Sequence, residues 1–400
     1  MKALVIAPQP FFTPRGTPFS VYYRTMVTSE LGVKVDLLTY GEGQDVDLPG
    51  VRIIRGPRFA FLGKVKTGPS MLKLFLDMFL ILRTIGLLLT NRYDFVHAHE
   101  EAIFFCRFLK PIFRFKLVYD MHSSLPQQLT NFNFTTSGFL ISLFKKLEDS
   151  CLHNADAVIT ICPALAEYVD GLITDHDKHQ LIENSIFEPV KLAGQKPLNK
   201  NTASDSTEAI DFPFTDGDLP LIVYAGTLEH YQGIDIMLEG FAIAHKKNQN
   251  LRMLVAGGSV PQVEQYRDLV KKLGIEKVCI LTGRVPQQDA KRMMASATVL
   301  ASPRTEGDNT PLKVYELLAS GKPMFATNIY SHTQVLSDEV AFMVDPTAEG
   351  IAQGMLDSTA NDNVVAEKIK NAQRLYDEKY SRKVYEAKMR KMLDRLECAE

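Results

Sequence analysis

The feature that most constrains this chain is a rhythm that occurs twice. Short apolar, β-rich runs alternate with longer stretches of helical periodicity. In the first half, strands are predicted over Lys2–Ala7, Val33–Tyr40, Asp94–Ala98, Lys116–Asp120 and Ala157–Ile161. Helical patterns fall near 17–31, 70–90, 102–109, 137–154 and 163–170. Residues 191–218 are polar, without periodicity, and read as a linker. The alternation then restarts, with strands over Leu221–Ala225, Arg252–Ala256, Val278–Thr282, Thr298–Ser302, Pro323–Thr327 and Ala341–Val344. The runs are near-continuous rather than alternating, as expected of parallel strands covered on both faces. The expected fold class is therefore α/β, with two Rossmann-like parallel-sheet domains facing each other across a cleft. The expected boundaries are 1–190, linker 191–218, and 219–379, with a helix of about 380–400 packing back on the first domain. Ligands of such sheets bind beyond the carboxyl ends of the strands.

A formal net charge of −2 gives no field that would attract nucleic acid, so none is expected as a partner. The five cysteines, at 106, 151, 162, 279 and 398, show no C-x-x-C spacing. That pattern argues against a disulfide framework or a zinc site and fits a reducing compartment. The apolar run at the N-terminus is cut by Pro8 and is too short for a signal-peptide core, so a cytoplasmic location is expected.

Residues 71–90 have the length of a membrane span. Lys73, Asp77 and Arg83 lie inside it, and each costs roughly 2.5–3.5 kcal/mol near a bilayer centre. Lys73, Asp77 and Thr84 share one narrow stripe at helical spacing. The segment reads as an amphipathic helix whose wide apolar face either packs on a core or touches a membrane surface.

The strongest local signal for chemistry is residues 302–323. A strand ends near Ser302, a polar loop with Gly307 follows, and a helix is predicted to start near Pro311 with Thr310 as its N-cap. A helix start attracts phosphate. Lys313, in the first turn, opposes the helix dipole and so needs another reason to be there; holding a diphosphate is such a reason. Glu316, one turn on, suits ribose hydroxyls, and Glu306 suits sugar hydroxyls. A solvated loop and a surface helix remain the plain alternative.

This stretch resembles the donor-binding signature of retaining GT-B glycosyltransferases of family 4, the glycosyl transferases group 1. Residues 224–235, 254–258, 281–285, 94–99 and 119–122 resemble further segments of that family in the same order. The resemblance implies transfer of a hexosyl-type sugar from a nucleotide-diphosphate sugar, with retention, to a glycan or lipid-linked acceptor. It implies no metal and no other cofactor. It places the donor on Gly226, Thr227, Arg304, Asp308, Asn309, Thr310, Pro311, Leu312, Lys313 and Glu316. His122 then lies near the reacting carbon, with Glu306 beside it.

The chain also departs from that pattern. Thr227 and Gln232 stand where the family usually has the two cations that bind pyrophosphate, which leaves Arg304 and Lys313 as substitutes. The interval from Glu306 to Glu316 is longer than the family's, so Asp308 or Asn309 are alternatives to Glu306. Near the N-terminus, Gly16 would let backbone N–H groups approach a phosphate, with Arg15 touching phosphate or acceptor, or the segment is a plain turn. His97 and His99 alternate on a buried strand and read as structural. The acceptor is expected on the first domain, where residues 71–90, 104–115, Phe132 and Phe134 combine apolar and basic surface suited to a lipid-linked acceptor at the inner membrane face.

Three other readings stay open. An oxidoreductase calls for a glycine fingerprint that neither half carries. A sugar-nucleotide epimerase of the same architecture needs acid/base carboxylates. A binding protein without activity is suggested by Thr227 and Gln232.

Overall fold

The computed structural model describes residues 1–14, 16–59, 71–124, 138–184, 186–193, 219–360 and 363–398. Arg15, Phe132, Phe134 and most of the predicted linker lie outside the described residues. The chain divides into two compact units: Met1–Gln195 with Arg382–Glu400, and Lys196–Ser381.

In the first unit, strand formation follows burial on both faces. Lys2–Ala7 (β1) is buried at every residue but its first. Leu4 and Ile6 enter one core while Ala3, Val5 and Ala7 enter another. β2 (Lys34–Thr39), β3 (Val51–Arg55), β4 (Phe95–His99), β5 (Lys116–Met121), β6 (Ala157–Thr160) and β7 (His179–Leu181) complete the sheet. Its order is β3-β2-β1-β4-β5-β6-β7, and all pairings are parallel. The two outermost strands, β3 and β7, escape the sequence reading because both are only partly buried and lack an apolar run. Helices Met71–Thr90, Ala102–Phe113, Gly138–Asn154 and Pro163–Asp170 cover one face. Gly16–Glu30 and Arg382–Cys398 cover the other.

The helix Met71–Thr90 packs on a core, the first of the two readings offered by its sequence. The polar stripe faces inward: Lys73 pairs with Glu101 at 3.5 Å, Asp77 accepts from the Tyr40 hydroxyl at 2.6 Å, and Thr84 is buried. Leu76, Leu80, Leu87 and Leu88 flank that stripe in the core, while Met71, Leu74, Met78, Leu82 and Leu89 are exposed. The apolar arc is wide enough to supply a core face and still leave an outer one. Among the described residues, no helix is long and apolar enough to cross a membrane.

The second unit has β8 (Leu221–Ala225), β9 (Arg252–Ala256), β10 (Cys279–Gly283), β11 (Val299–Ser302), β12 (Met324–Thr327) and β13 (Phe342–Val344). Their order is β10-β9-β8-β11-β12-β13, again all parallel. The chain runs outward one way from β8 and the other way from β11, so the order reverses between these neighbours. In doubly wound sheets that is where ligands bind.

Candidate functional site

The carboxyl ends of β8 and β11 bring together two loops far apart in sequence. The loop after β8 closes on itself, because the Tyr224 hydroxyl donates to Thr227 O at 2.6 Å. It meets the loop after β11 where Thr305 N donates to Tyr231 O at 2.9 Å. Gly233, at φ +66°, permits the approach: a Cβ there would lie 2.1 Å from Pro303 O. Behind the β11 loop, His332 links Ser302 (2.8 Å) to the carbonyl of Thr327 (2.8 Å), and the Thr327 hydroxyl donates to Arg304 O. His332 and Thr327 are fully buried. Sequence reading missed this brace, since a histidine in a four-residue helix carries no periodic signal.

Two cations converge here. Lys313 Nζ sits 4.0 Å from the centroid of the Tyr224 ring and 3.4 Å from Gln232 Oε1. Desolvation, helped by the positive charge of Arg304, lowers its pKa to about 7. Arg304 lies over the Tyr231 ring at 5.3 Å and donates to the carbonyls of Glu306 and Asn309. Gly307, at φ +115°, leaves room for that guanidinium, since its Cβ would fall 2.0 Å from Arg304 Nη2. Desolvation also lowers the Arg304 pKa. Glu316, three residues along the helix from Lys313, has its carboxyl pushed up to about 7 by burial, against the pull of Lys291. The sequence departures thus have a structural counterpart: the Lys313 ammonium stands against Gln232, where the resemblance calls for a lysine.

The remaining predicted residues differ in position. Thr227, Glu306 and Asp308 are exposed; Asp308 O accepts from Gln334 and Asn309 O from Arg304. Pro311 is buried and Leu312 half-buried. The expected helix start needs correction. The helix is Lys313–Ala319, with Leu312 at its N-cap position and no side-chain cap. Thr310 therefore does not cap it, and the Thr310 hydroxyl is buried with no partner among the described residues. Arg304 donates to Asn309 O ahead of this segment, and a single turn, closed by Val314 N donating to Pro311 O at 3.0 Å, leads into the helix. With only seven residues, the helix adds little dipole, and the side-chain cations carry the charge. The Gly226 N–H donates to Ala256 O at 2.9 Å, and the residue is exposed. In the first unit, Gly16 is the first residue of its helix, with open space around it.

His122 follows β5 and is almost fully buried. Its Nε2 lies 3.1 Å from His99 Nδ1. Behind them Asp120 pairs with Arg24 (2.9 Å) and His97 (2.9 Å). Register alone sets this up, since His97 and His99 on β4 align with Val118 and Asp120 on β5. His97, His99 and Asp120 offer ligand atoms within 4.8 Å of one another, a spacing that suits a metal. The fit is nonetheless poor: the Arg24 guanidinium already neutralises Asp120 and would repel a divalent cation. The cluster is better described as a buried hydrogen-bond network.

Residues 26–185 match the family described as glycosyl transferase 4-like domain, and residues 205–375 match glycosyl transferases group 1. An uncharacterised glycosyltransferase of Methanocaldococcus jannaschii is 24% identical over 308 residues, covering 75% of this chain and 74% of that protein. The structure of sucrose-phosphate synthase from Thermosynechococcus elongatus superposes with a TM-score of 0.71 at 17% identity, covering both chains fully. Anabaena HepE in complex with UDP superposes with a TM-score of 0.68 at 13% identity, covering 98% of this chain and 100% of that one.

Proposed function

Because the chain belongs to the glycosyl transferases group 1 and is a glycosyltransferase of GT-B fold, we propose that it moves a hexosyl-type sugar from a nucleotide-diphosphate donor to a glycan or lipid-linked acceptor, with retention. One observation carries the donor assignment: two desolvated cations, Lys313 and Arg304, share the carboxyl ends of β8 and β11. A half-buried ammonium with no carboxylate partner among the described residues gains most from a bound dianion. The complex of HepE with UDP-glucose supports the same donor class.

In the reaction, the bond from the anomeric carbon to the β-phosphate oxygen breaks and its electron pair leaves with the diphosphate. Lys313 and Arg304 stabilise that charge, the role a metal fills in other transferases, so the reaction is metal-independent. The acceptor hydroxyl attacks on the face the diphosphate leaves, and its proton passes to the departing phosphate oxygen. Glu316 accepts from the ribose hydroxyls, and its raised pKa falls as those donors arrive. For the sugar hydroxyls the hydrogen-bonding groups are His122 in the first unit and, in the second, Glu306 or in its place Asp308 or Asn309.

For the acceptor, the outward apolar face of Met71–Thr90 supports peripheral contact with the inner face of a membrane. Phe108 and Ile112 are exposed on Ala102–Phe113 as well, and the exposed Arg83, Arg114, Lys145 and Lys146 add positive charge. A panel of UDP-, GDP- and dTDP-sugars in a thermal-shift assay tests the function. One nucleotide class is expected to raise Tm and to lose that effect in Lys313→Ala. A response to NADH alone would refute the assignment.

A further inference from the structure

We propose that a cavity between the loop after β8 and the helix Val260–Leu273 binds one neutral hexose unit of a glycan, at a place separate from the donor cations. The cavity has a volume of about 540 Å³, the size of a small-molecule site. It lies wholly in the second unit. Neither Lys313 nor Arg304 lines it, so the proposal stands on this cavity alone.

Two sides build it. The helix Val260–Leu273 supplies Gln262, Gln265, Tyr266 and Leu269, which share one face at helical spacing. The loop after β8 supplies Leu228, Glu229 and His230, and Asp235 joins them from the first turn of the helix Ile234–Lys247. Leu228, Leu269 and the Tyr266 ring give apolar surface, and the rest is polar. The helix cap fixes Gln262: its Oε1 accepts from Ser259 N and from Ser259 Oγ, both at 2.9 Å. Its Nε2 is left as a donor.

Tyr266 is the group that calls for a ligand. It lines the cavity although only 5% exposed, and its hydroxyl has no hydrogen-bond partner among the described residues. A hydroxyl that is buried and unpaired is unfavourable, and a bound polar group relieves it. Burial, with the negative charges of Asp235 and Glu229, pushes the Tyr266 pKa up, so the phenol keeps its proton and donates. The surrounding groups select the ligand class. Two carboxylates and neither lysine nor arginine line the cavity, which disfavours an anion such as phosphate. Among the described residues, the groups close enough together for a metal are His97, His99 and Asp120, not Glu229, His230 and Asp235. A pyranose fits what is left. Its hydroxyls donate to Glu229 and Asp235 and accept from Gln262 and Tyr266, while its C–H face meets the ring and the leucines.

The test is saturation-transfer difference NMR on the full chain with methyl glucoside, methyl mannoside, methyl galactoside and methyl glucosaminide, each with and without an excess of UDP, GDP and dTDP together. At least one neutral glycoside is expected to bind, with saturation strongest on its ring C–H protons, and the nucleotides should not displace it. Tyr266→Phe keeps the ring and should raise the Kd of that glycoside about tenfold, the scale of one hydrogen bond lost. Its Tm should not fall, because the hydroxyl has no partner to lose. Gln265→Ala, at an exposed position, should weaken binding in the same direction and decides the matter should Tyr266→Phe fail to fold. Four outcomes would overturn the proposal: no neutral glycoside binds, binding is unchanged in both variants, the nucleotides displace the glycoside, or the amino sugar alone binds. Each of these leaves the donor reading standing, since that reading is judged by nucleotide sugars and Lys313→Ala.

Discussion

A lysine that titrates near neutrality makes donor binding depend on pH in a defined direction. The free protein holds Lys313 at about 7, and a bound diphosphate favours its ammonium form. Donor Kd should therefore stay flat below about pH 7 and weaken by up to about tenfold per pH unit above it. Lys313→Arg, charged throughout, should flatten that slope in a titration of nucleotide binding. Lys313→Ala should lower kcat/KM by about 10²–10³-fold without altering the far-UV spectrum, since one preorganised electrostatic contact is lost at the leaving group. Glu316 behaves oppositely. Its carboxyl is raised from 4.5 to about 7, so between those values the folded state binds more protons and stability falls as pH rises. At pH 8, Glu316→Gln should raise the apo Tm by about 2–4 °C, the scale of one kcal/mol in a unit of this size, while weakening donor binding. The identity of Lys313 was legible because a cation in the first turn broke a helix rule. The brace of Ser302, Thr327 and His332 was not, because only contact between non-neighbouring loops gives it meaning.

Among elements, the β11 loop and the helix Met71–Thr90 make separate predictions. Gly307→Ala would force a Cβ against the Arg304 guanidinium in a backbone region that L residues rarely adopt. Donor KM should rise about tenfold, with kcat for saturating donor less affected, as measured by initial rates. On the helix, Met78→Glu with Leu82→Glu should leave the Tm nearly unchanged, since both side chains already face solvent. The same pair should reduce flotation with anionic liposomes; no wild-type flotation would end the membrane proposal. Central strands were readable because burial on both faces writes an unbroken apolar run. β3 and β7 were hidden because sheet edges need no such run. The period of Met71–Thr90 was legible, but its rotation was not. Both sides of that helix are apolar, and only Tyr40 and Glu101, distant in sequence, decide which side turns inward.

For the whole molecule, the last helix is part of the first unit's fabric. Tyr385, Met389, Met392, Leu393 and Leu396 are buried in its core, and Lys388, Arg395 and Arg382 pair with Glu183, Asp175 and Glu30. Burying five such side chains is worth at most about 15 kcal/mol, comparable with the whole stability of a domain. Truncation after Ser381 should abolish the cooperative thermal transition of the first unit and leave that of Lys196–Ser381, as read by calorimetry. The Arg24 that neutralises Asp120 also lies 5.5 Å from the ring of Tyr385, so the truncation reaches the His122 network too.

That same helix sets an order of events at the ribosome. The half of the chain made first cannot close its second core until Arg382–Cys398 emerges. The half made second already holds every strand and helix it needs. The later-made lobe is thus free to mature first, while its elder sibling waits with one sheet face uncovered, a window in which a holdase chaperone or a premature stop codon would be felt most.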